Sequence, residues 1–378
     1  MDNSIALSEY GRAWVEIDLD ALTHNADELR SQLPSGCELM AVVKTDAYGH
    51  GAVKVAERMW REGVRSFAVA TVGEGISLRE SSLDGEILVL GYTPPKDARL
   101  LSEFDLTQLI IDGDYAEALN DTGCVLRVHI AIDTGMHRLG INPSNLAELE
   151  SVYKCNNLIV KGVATHLASP DSVEADDIEF TNLQIKRFLD TVGALRNKGH
   201  DTGKLHIQAS YGVCNYPELR CDYARIGIAL YGVMSHGEKT KIKLDLRPAL
   251  SLRARVAQVR WIDAGETVSY GRVFKAAAPV KLATVCIGYG DGIPRQMSGK
   301  NGQCIIRGQK VPIIGRICMD LLMADATAVD SVQPGDVATF IGRDGGEEIS
   351  CEEVARLSDT ITNDILCRLG SRLPRVYI

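Results

Sequence analysis

The sequence lacks the features that would assign it to nucleic acid, a membrane or an export pathway. Basic residues are not in excess, because 41 lysines and arginines stand against 50 aspartates and glutamates, a formal net charge of -9. Non-specific nucleic-acid binding depends on a basic surface, so that function is disfavoured. No apolar run is long enough to span a bilayer, and the start does not resemble a signal peptide. We therefore expect a soluble, cytoplasmic chain with no nucleic-acid partner and no membrane segment.

Close cysteine pairs are also missing. The ten cysteines are scattered and form no C-x-x-C motif, whereas zinc sites and thioredoxin-like motifs usually need such pairs. Scattered cysteines in an intracellular chain are most often small buried apolar residues. We expect no metal site and no disulfide.

The first two-thirds of the chain contains a regular series of apolar runs separated by helical patterns. The runs cover residues 37–43, 65–72, 85–92, 106–112, 125–133, 159–166, 204–210 and 223–232. Near-continuous apolar runs are typical of strands buried on both faces of a parallel sheet. Eight such strands alternating with helices predict an α/β fold, a (β/α)8 TIM barrel. A doubly wound sheet is the rival, but it usually has fewer strands, and we favour the barrel.

The pattern changes from about residue 247. Short strand-like segments are separated there by Gly, Pro and Asp turns, and helical patterning returns only near the C-terminus. Such a pattern predicts a mostly antiparallel β domain. We predict a barrel domain over residues 11–245 and a C-terminal β domain over residues 246–378, with residues 1–10 as a candidate to pack on the latter.

Several polar residues fall at the predicted C-terminal ends of the barrel strands, where barrel enzymes have their active sites. They are Lys44, Asp133 with Arg138, His166, Ser210 and Arg225. Each has a structural alternative: Asp133 and Arg138 as a loop ion pair, or His166 as a core histidine. Lysine is the informative residue, because it is rarely buried unpaired and its amine becomes more nucleophilic in a dry site. This amine suits either an aldolase-type attack on a carbonyl or attachment of pyridoxal phosphate.

Seven motifs of this chain, taken in order, closely resemble those of the alanine racemase family. They are RAWVEIDLDALTHN, AVVKTDAYGHG, DTGMHRLG, RIGIALYG, TVSYGRVF, GYGDGIPR and GRICMD. The resemblance runs from about residue 12 to the C-terminus, and the motifs are specific only in combination. It implies a homodimeric, pyridoxal-phosphate-dependent amino-acid racemase, with a barrel followed by a β domain and active sites shared across the dimer interface.

The resemblance also implies roles for individual residues. Lys44 matches the lysine that holds the cofactor and acts as one acid/base, and Tyr270 matches the second acid/base, supplied by the partner subunit. His166 matches the residue that hydrogen-bonds this tyrosine. Arg225 matches the arginine that contacts the pyridine nitrogen, and Arg138 matches a residue that orients the cofactor's phenolic oxygen and the substrate carboxylate.

Other matched positions concern the substrate and the phosphate. Met319, through its backbone N–H, and Asp320 match substrate-side residues of GRICMD. The phosphate side is matched by Tyr48, Ser210, Gly227 and Ile228. His50 is expected to have a structural role in the turn after the first barrel strand.

Two positions depart from the family pattern. The lysine that commonly stands two residues before DTGM, and that braces the arginine, is replaced by Ala131. The family's T-I-x-Y-E reads TITND here, so that a pocket tyrosine is replaced by Asn363. The shorter amide opens space and can hydrogen-bond a β-hydroxyl, which favours serine as a substrate. The chain in this respect resembles the serine/alanine racemase domains of the vancomycin-resistance type, in which the racemase follows a membrane-spanning half.

The predicted function is therefore racemisation of serine and alanine, which supplies D-amino acids for peptidoglycan precursors. The chain would be cytoplasmic, on its own or as the cytoplasmic domain of a membrane-anchored protein. A plain alanine racemase is the nearest alternative. A basic amino-acid decarboxylase would need a pocket for a long cationic side chain, and non-catalytic pyridoxal-phosphate carriers resemble the barrel alone.

Overall fold

A closed barrel of eight parallel strands forms most of the first part of the molecule. The computed structural model describes residues 11–235 and 240–378. The elements of this part are β1 (Ala13–Ile17), α1 (Leu19–Ser31), β2 (Glu38–Val42), α2 (Lys44–Gly49), α3 (Ala52–Arg61), β3 (Ser66–Val69), α4 (Val72–Glu80), β4 (Glu86–Val89), α5 (Ala98–Glu103), β5 (Thr107–Ile110), α6 (Gly113–Asn120), β6 (Leu126–Ala131), α7 (Leu146–Tyr153), β7 (Leu158–Ala164), α8 (Ala175–Asn197), β8 (Lys204–Ala209), α9 (Ser210–Asn215) and β9 (Tyr223–Ile226). Strands β2 to β9 follow one another around the barrel, and β9 pairs with β2 to close it. The predicted barrel is confirmed.

The second part is an antiparallel-rich sheet of nine strands. Its elements, with those of a separate small hairpin, are β10 (Leu250–Ile262), β11 (Thr267–Val268), β12 (Phe274–Lys275), β13 (Val280–Val285), β14 (Gln303–Ile306), β15 (Gln309–Ile314), β16 (Leu322–Asp325), β17 (Val337–Asp344), β18 (Glu347–Ile349), α10 (Cys351–Leu357), α11 (Thr362–Cys367) and β19 (Arg375–Tyr377). Every pairing in this sheet is antiparallel except that of β1 with β19. The long strand β10 also pairs with β17, so six of the strands form a closed ring. The predicted β domain is confirmed.

Strand β1 departs from the predicted domain division. The prediction assigned residues from 11 onward to the barrel, but β1 is hydrogen-bonded between β10 and β19 in the sheet of the second part. The described chain therefore passes first through the β sheet, crosses to the barrel through α1, and returns to the sheet after β9. The boundary at residue 245 stays a prediction, and residues 1–10 lie outside the described residues.

The interior explains why the barrel runs are almost wholly apolar in sequence. Strands β3 and β5 are buried along their whole length, as expected when helices cover the outside and side chains fill the inside. Within the described ranges, no helix combines the length and apolar character needed to cross a bilayer.

Candidate active site

Lys44 begins an unusual turn at the carboxyl end of β2. The four residues after it, 45–48, all have φ between 52° and 55°, the left-handed region. Each such residue costs about 1–2 kcal/mol relative to the right-handed conformation, so the surrounding structure must hold the turn in place. The Nδ1 atom of His50 lies 3.0 Å and 2.9 Å from the carbonyl oxygens of Ala47 and Tyr48. Because carbonyls only accept, Nδ1 carries the proton, and His50 has the structural role that was predicted.

Glu74 holds the other side of this turn. Its carboxylate accepts hydrogen bonds from the backbone N–H groups of Thr45 at 2.6 Å and Ala70 at 2.7 Å. It also forms a capping box with Thr71 at the start of α4. The carboxylate near Lys44 is thus occupied by backbone donors. The T-x-x-E spacing signals a capping box in the sequence, although sequence analysis missed this residue.

The environment of Lys44 favours its neutral amine. Burial lowers the pKa of Lys44, and the nearby cations Arg138 and Arg225 lower it further. The opposing effects of Cys367 and Glu74 do not reverse this direction. An unprotonated amine at the rim of a barrel is suited to act as a nucleophile or as a base.

Arg225 is buried at the end of β9, and no carboxylate of the described residues pairs with it. Its guanidinium donates to the carbonyl oxygens of Thr165 at 2.7 Å and His206 at 2.9 Å, and to Nδ1 of His166 at 3.2 Å. Burial lowers the pKa of Arg225 to about 10, so the side chain remains a cation and a donor at neutral pH.

His166 is a neutral hydrogen-bond donor at this rim. Burial, followed by Arg225, Arg138 and Lys44, lowers the pKa of His166 to about 3. Since Nδ1 accepts from Arg225, the ring proton of the neutral imidazole is on Nε2. This half-buried ring is therefore connected to the other rim residues rather than being an isolated core histidine.

The four residues predicted on the phosphate side lie at the ends of β2, β8 and β9. Tyr48 is buried, and its ring centroid lies 5.0 Å from that of Tyr231. A Cβ atom at Gly227 would lie only 2.6 Å from the Tyr48 hydroxyl, so this position needs glycine. The hydroxyl of Ser210 accepts from Ala229 N–H at 3.2 Å, at the start of the short helical turn Ile228–Tyr231. The first N–H groups of such a turn have no intrahelical partner.

Arg138 and Asp133 do not form the loop ion pair considered from the sequence. The carboxylate of Asp133 accepts from the backbone N–H of His137 and lies 2.9 Å from its Nδ1. Arg138 is exposed and, among the residues described, has no hydrogen bond or ion pair. Ala131, where the family pattern has lysine, is buried at the end of β6.

Asn363 lies in α11 and contacts the segment that follows β9. Its Oδ1 atom accepts a hydrogen bond from the hydroxyl of Ser235, and its neighbour Thr362 donates to the carbonyl oxygen of Met234 at 3.1 Å. Within residues 11–235 and 240–378, no hydrogen bond is recorded for the amide NH2 group of Asn363, which can act as a donor. Sequence analysis did not identify Ser235.

Tyr270, Met319 and Asp320 lie in loops of the second part of the molecule, and none of them is on a barrel strand or its following turn. Tyr270 is at the tip of the β11–β12 hairpin with 70% of its surface exposed, and Met319 is 52% exposed. The Ser269 hydroxyl donates to the carbonyl oxygen of Arg316 at 2.6 Å, which ties the hairpin to the GRICMD loop. In the ranges described, the phenol of Tyr270 makes no hydrogen bond and no ring contact. One chain therefore presents these residues outward.

The GYGDG turn fixes the loop that carries Met319. The N–H of Gly290 donates to the carbonyl oxygen of Met319 at 2.9 Å. The fully buried Asp291 accepts from Arg12 at 2.6 Å, and Arg372 donates to Asp320 at 2.5 Å. Asp291 and Arg12 were present in the quoted motifs, but only the fold shows that they meet.

Comparisons with known proteins agree along almost the whole chain. The family model for the alanine racemase N-terminal domain matches residues 17–235, and that for the alanine racemase C-terminal domain matches residues 249–377. An alanine racemase of Carboxydothermus hydrogenoformans is 38% identical over 97% of this chain and 99% of its own length. A crystal structure of alanine racemase from Bacillus anthracis with bound L-Ala-P is 34% identical, covering 98% of this chain and 95% of its own, with a TM-score of 0.90.

Two relatives are longer than this chain. An amino-acid racemase of Enterococcus faecalis is 42% identical over 96% of this chain, but the match covers 51% of the relative. A second amino-acid racemase of that organism is 39% identical, again over 51% of its length. The chain thus spans about half the length of these two relatives.

Proposed function

The chain belongs to the alanine racemase family, and from that premise we propose that it is a pyridoxal-phosphate-dependent racemase that interconverts the L and D forms of serine and alanine. Its products would enter peptidoglycan precursors, as in racemases of the vancomycin-resistance type. The observation that best supports this function is the Lys44 amine, whose pKa is lowered by burial and by two neighbouring arginines at the rim of the barrel.

The rim residues fit pyridoxal phosphate. Arg138 and Arg225 place two cationic side chains near the Lys44 amine, which suits a ligand that carries a phosphate and a substrate that carries a carboxylate. Gly227 leaves no side chain beside the Tyr48 hydroxyl, so this hydroxyl and the N–H of Ile228 can hold a phosphate. Lys44 would hold the cofactor covalently, and Arg225 would donate to its ring nitrogen.

Racemisation needs a base on one face of the substrate Cα and an acid on the other. Pyridoxal phosphate, when bound, supplies an electron-withdrawing ring that stabilises negative charge on that carbon. We assign the base on one face to Lys44 Nζ, which accepts the proton, and the acid on the other to the hydroxyl of Tyr270, which donates one. The roles reverse for the opposite enantiomer.

Since the reference pKa of the tyrosine side chain is about 10, a tyrosine acid/base needs a partner that helps it exchange protons near neutrality. We assign that role to His166, whose Nε2–H is free to donate because its Nδ1 accepts from Arg225. Arg225 can only donate, so the atom that it contacts must remain an acceptor.

Tyr270 would reach the rim of a partner subunit rather than of its own. Its 70% exposure and that of Met319, 52%, leave both without cover in a single chain. Two-fold symmetric dimers are the commonest homo-oligomers, and a shared site is then formed twice. We therefore propose a homodimer in which the hairpin tip and the GRICMD loop complete the partner's site, with Arg138 and the N–H of Met319 binding the substrate carboxylate and Asp320 beside it.

Mixing two inactive variants tests the shared site. Lys44→Ala removes one base and Tyr270→Phe the other, and each homodimer should be inactive. After joint refolding, half of the dimers are hybrids with one intact site, so activity should return to about a quarter of the wild-type value. No recovery, or full activity of Tyr270→Phe alone, would contradict the assignment.

The serine part of the proposal depends on Asn363. The amide NH2 left free by Ser235 can donate to a substrate hydroxyl, whereas an apolar pocket would leave that hydroxyl unpaired. Asn363→Tyr should therefore lower kcat/KM for serine more than for alanine, in racemisation assays with and without added cofactor. If wild-type racemisation of serine is below roughly a hundredth of the alanine rate, the enzyme is a plain alanine racemase.

A further inference from the structure

A row of buried polar side chains crosses the barrel interior beneath Arg225. The guanidinium Nη1 lies 2.8 Å from Nδ1 of His206, and Nε2 of His206 lies 2.8 Å from Nδ1 of His129. The Nε2 atom of His129 then lies 3.0 Å from a carboxylate oxygen of Glu86, although its N–H does not point straight at that oxygen. Both histidines are fully buried. These four side chains are called the barrel relay below.

The strands place the two ends of the relay far apart. Glu86 is the first residue of β4, at the amino end of the strand, whereas Arg225 lies near the carboxyl end of β9. The relay thus joins the floor of the barrel to its rim. Glycine at position 162 makes room for it, since a Cβ there would lie 2.8 Å from the His129 ring.

The chemistry of the two ends fixes the direction of every hydrogen bond between them. Arg225 only donates, so Nδ1 of His206 must accept, and the proton of this neutral ring is on Nε2. That Nε2–H donates to His129, whose Nδ1 must accept, so the His129 proton is also on Nε2. An ionised carboxylate only accepts, so the Nε2–H of His129 has an acceptor beside it, the Glu86 oxygen at 3.0 Å.

The charges agree with this direction. Burial, then Arg225, lowers the pKa of His206 well below its ordinary value, which keeps the ring neutral. Burial raises the pKa of Glu86, but the contacts with His129, Tyr223 and Lys204 outweigh burial and lower it. The relay therefore has a cation at the Arg225 end, an anion at the Glu86 end and the neutral ring of His206 between them.

We propose that Glu86 is a positioning residue for Arg225, acting through His129 and His206. Its carboxylate accepts the terminal N–H of the relay and polarises both rings, which strengthens the acceptor that faces the guanidinium. Arg225 is then held in one orientation, which leaves its Nε–H as the one donor without a partner among the described residues. This role rests on the proposed function, in which Arg225 contacts the cofactor ring.

Two substitutions separate this role from simple packing. Glu86→Met removes the acceptor, whereas Glu86→Gln keeps an amide oxygen that can accept. Glu150→Met is the matched control, because Glu150 forms a carboxylate–histidine contact with His200 at 3.4 Å on the outside of the barrel. The ring signals can be read by NMR of enzyme labelled with 15N-histidine, since the chain has only eight histidines.

In the wild type, both relay histidines should carry their proton on Nε2. Glu86→Met should shift the ring signals of His129 and His206 and lower kcat roughly tenfold for both substrates with little change in KM, whereas Glu86→Gln stays within about twofold. The Glu150→Met control should match the wild type in the ring signals of His129 and His206 and in kcat.

Three results would overturn the proposal. They are a wild-type relay ring protonated on Nδ1 or on both nitrogens, unchanged His206 signals in Glu86→Met, or identical behaviour of the Met and Gln variants. If Glu86→Met fails to fold, the histidine tautomers of the wild type and the kinetics of Glu86→Gln still test the proposal. Failure of the proposed function would appear separately, as a wild-type enzyme that racemises neither amino acid while the ring signals retain the expected tautomers.

Discussion

His50 links the stability of the left-handed turn beside Lys44 to pH. Its ring is fully buried, its Nδ1–H donates to the carbonyls of Ala47 and Tyr48, and its Nε2 has no hydrogen-bond partner in the described part of the chain. Burial lowers the pKa of His50 to about 4, although the two backbone contacts oppose this shift. His50→Asn should retain a donor near the Nδ1 position and remove the titrating group.

The size of the effect follows from the two pKa values. An unfolded histidine has a pKa of about 6.5, against about 4 in the folded chain. Between these two pKa values the unfolded state binds more protons than the folded state. The contribution of His50 to the free energy of unfolding is therefore complete above about pH 6.5 and falls as the pH decreases. At pH 5 the difference amounts to about 2 kcal/mol for this single residue.

Urea unfolding can measure this pH-dependent contribution of His50 to the free energy of unfolding. Wild type and His50→Asn are compared at pH 7 and pH 5, at one protomer concentration. The packing lost with the ring lowers stability at both pH values and cancels in the comparison. The wild type should lose about 2 kcal/mol more than the variant between the two conditions. Equal losses in the two proteins would refute the view that His50 is buried in its neutral form.

Two further predictions concern the rim. Gly227→Ala places a Cβ 2.6 Å from the Tyr48 hydroxyl, and this overpacking costs about 1–3 kcal/mol. Cofactor retention, measured by equilibrium dialysis, should therefore be weaker in the variant. Retention equal to that of the wild type would contradict this view of the phosphate side. Ser235→Ala removes the hydroxyl that donates to Asn363, so kcat/KM for serine should fall several-fold relative to kcat/KM for alanine. An unchanged ratio of the two kcat/KM values would show that Ser235 does not orient the amide of Asn363.

The fold could be predicted from the sequence because its signal is repeated. Eight apolar runs alternate with helical patterns, and each run maps onto one barrel strand. The rim residues followed from the same argument, since the carboxyl ends of parallel barrel strands meet at one face. Strand β1 could not be placed in this way, because its apolar pattern does not tell which sheet it joins.

The buried polar residues were not predictable. His129 and His206 interrupt apolar runs by a single residue each, and a lone histidine in such a run is read as part of the core. Their function depends on contacts between strands β6, β8 and β9. The contact between His129 and His206 joins residues 77 positions apart, and that between His206 and Arg225 joins residues 19 positions apart. The left-handed turn at residues 45–48 could not be predicted either, since none of its four residues is glycine.

The two hidden features have a common physical basis. The turn after Lys44 and the barrel relay are both polar arrangements enclosed by apolar packing, where an unpaired donor or acceptor is costly. Such arrangements add little net stability, but their hydrogen bonds leave the side chains few alternative orientations. The turn is held by His50 and Glu74, and Arg225 is held by two neutral rings and carbonyl oxygens. The lysine and the arginine of the proposed site are thereby oriented from beneath, which leaves the rim free to vary at Ala131 and Asn363 without disturbing these two side chains.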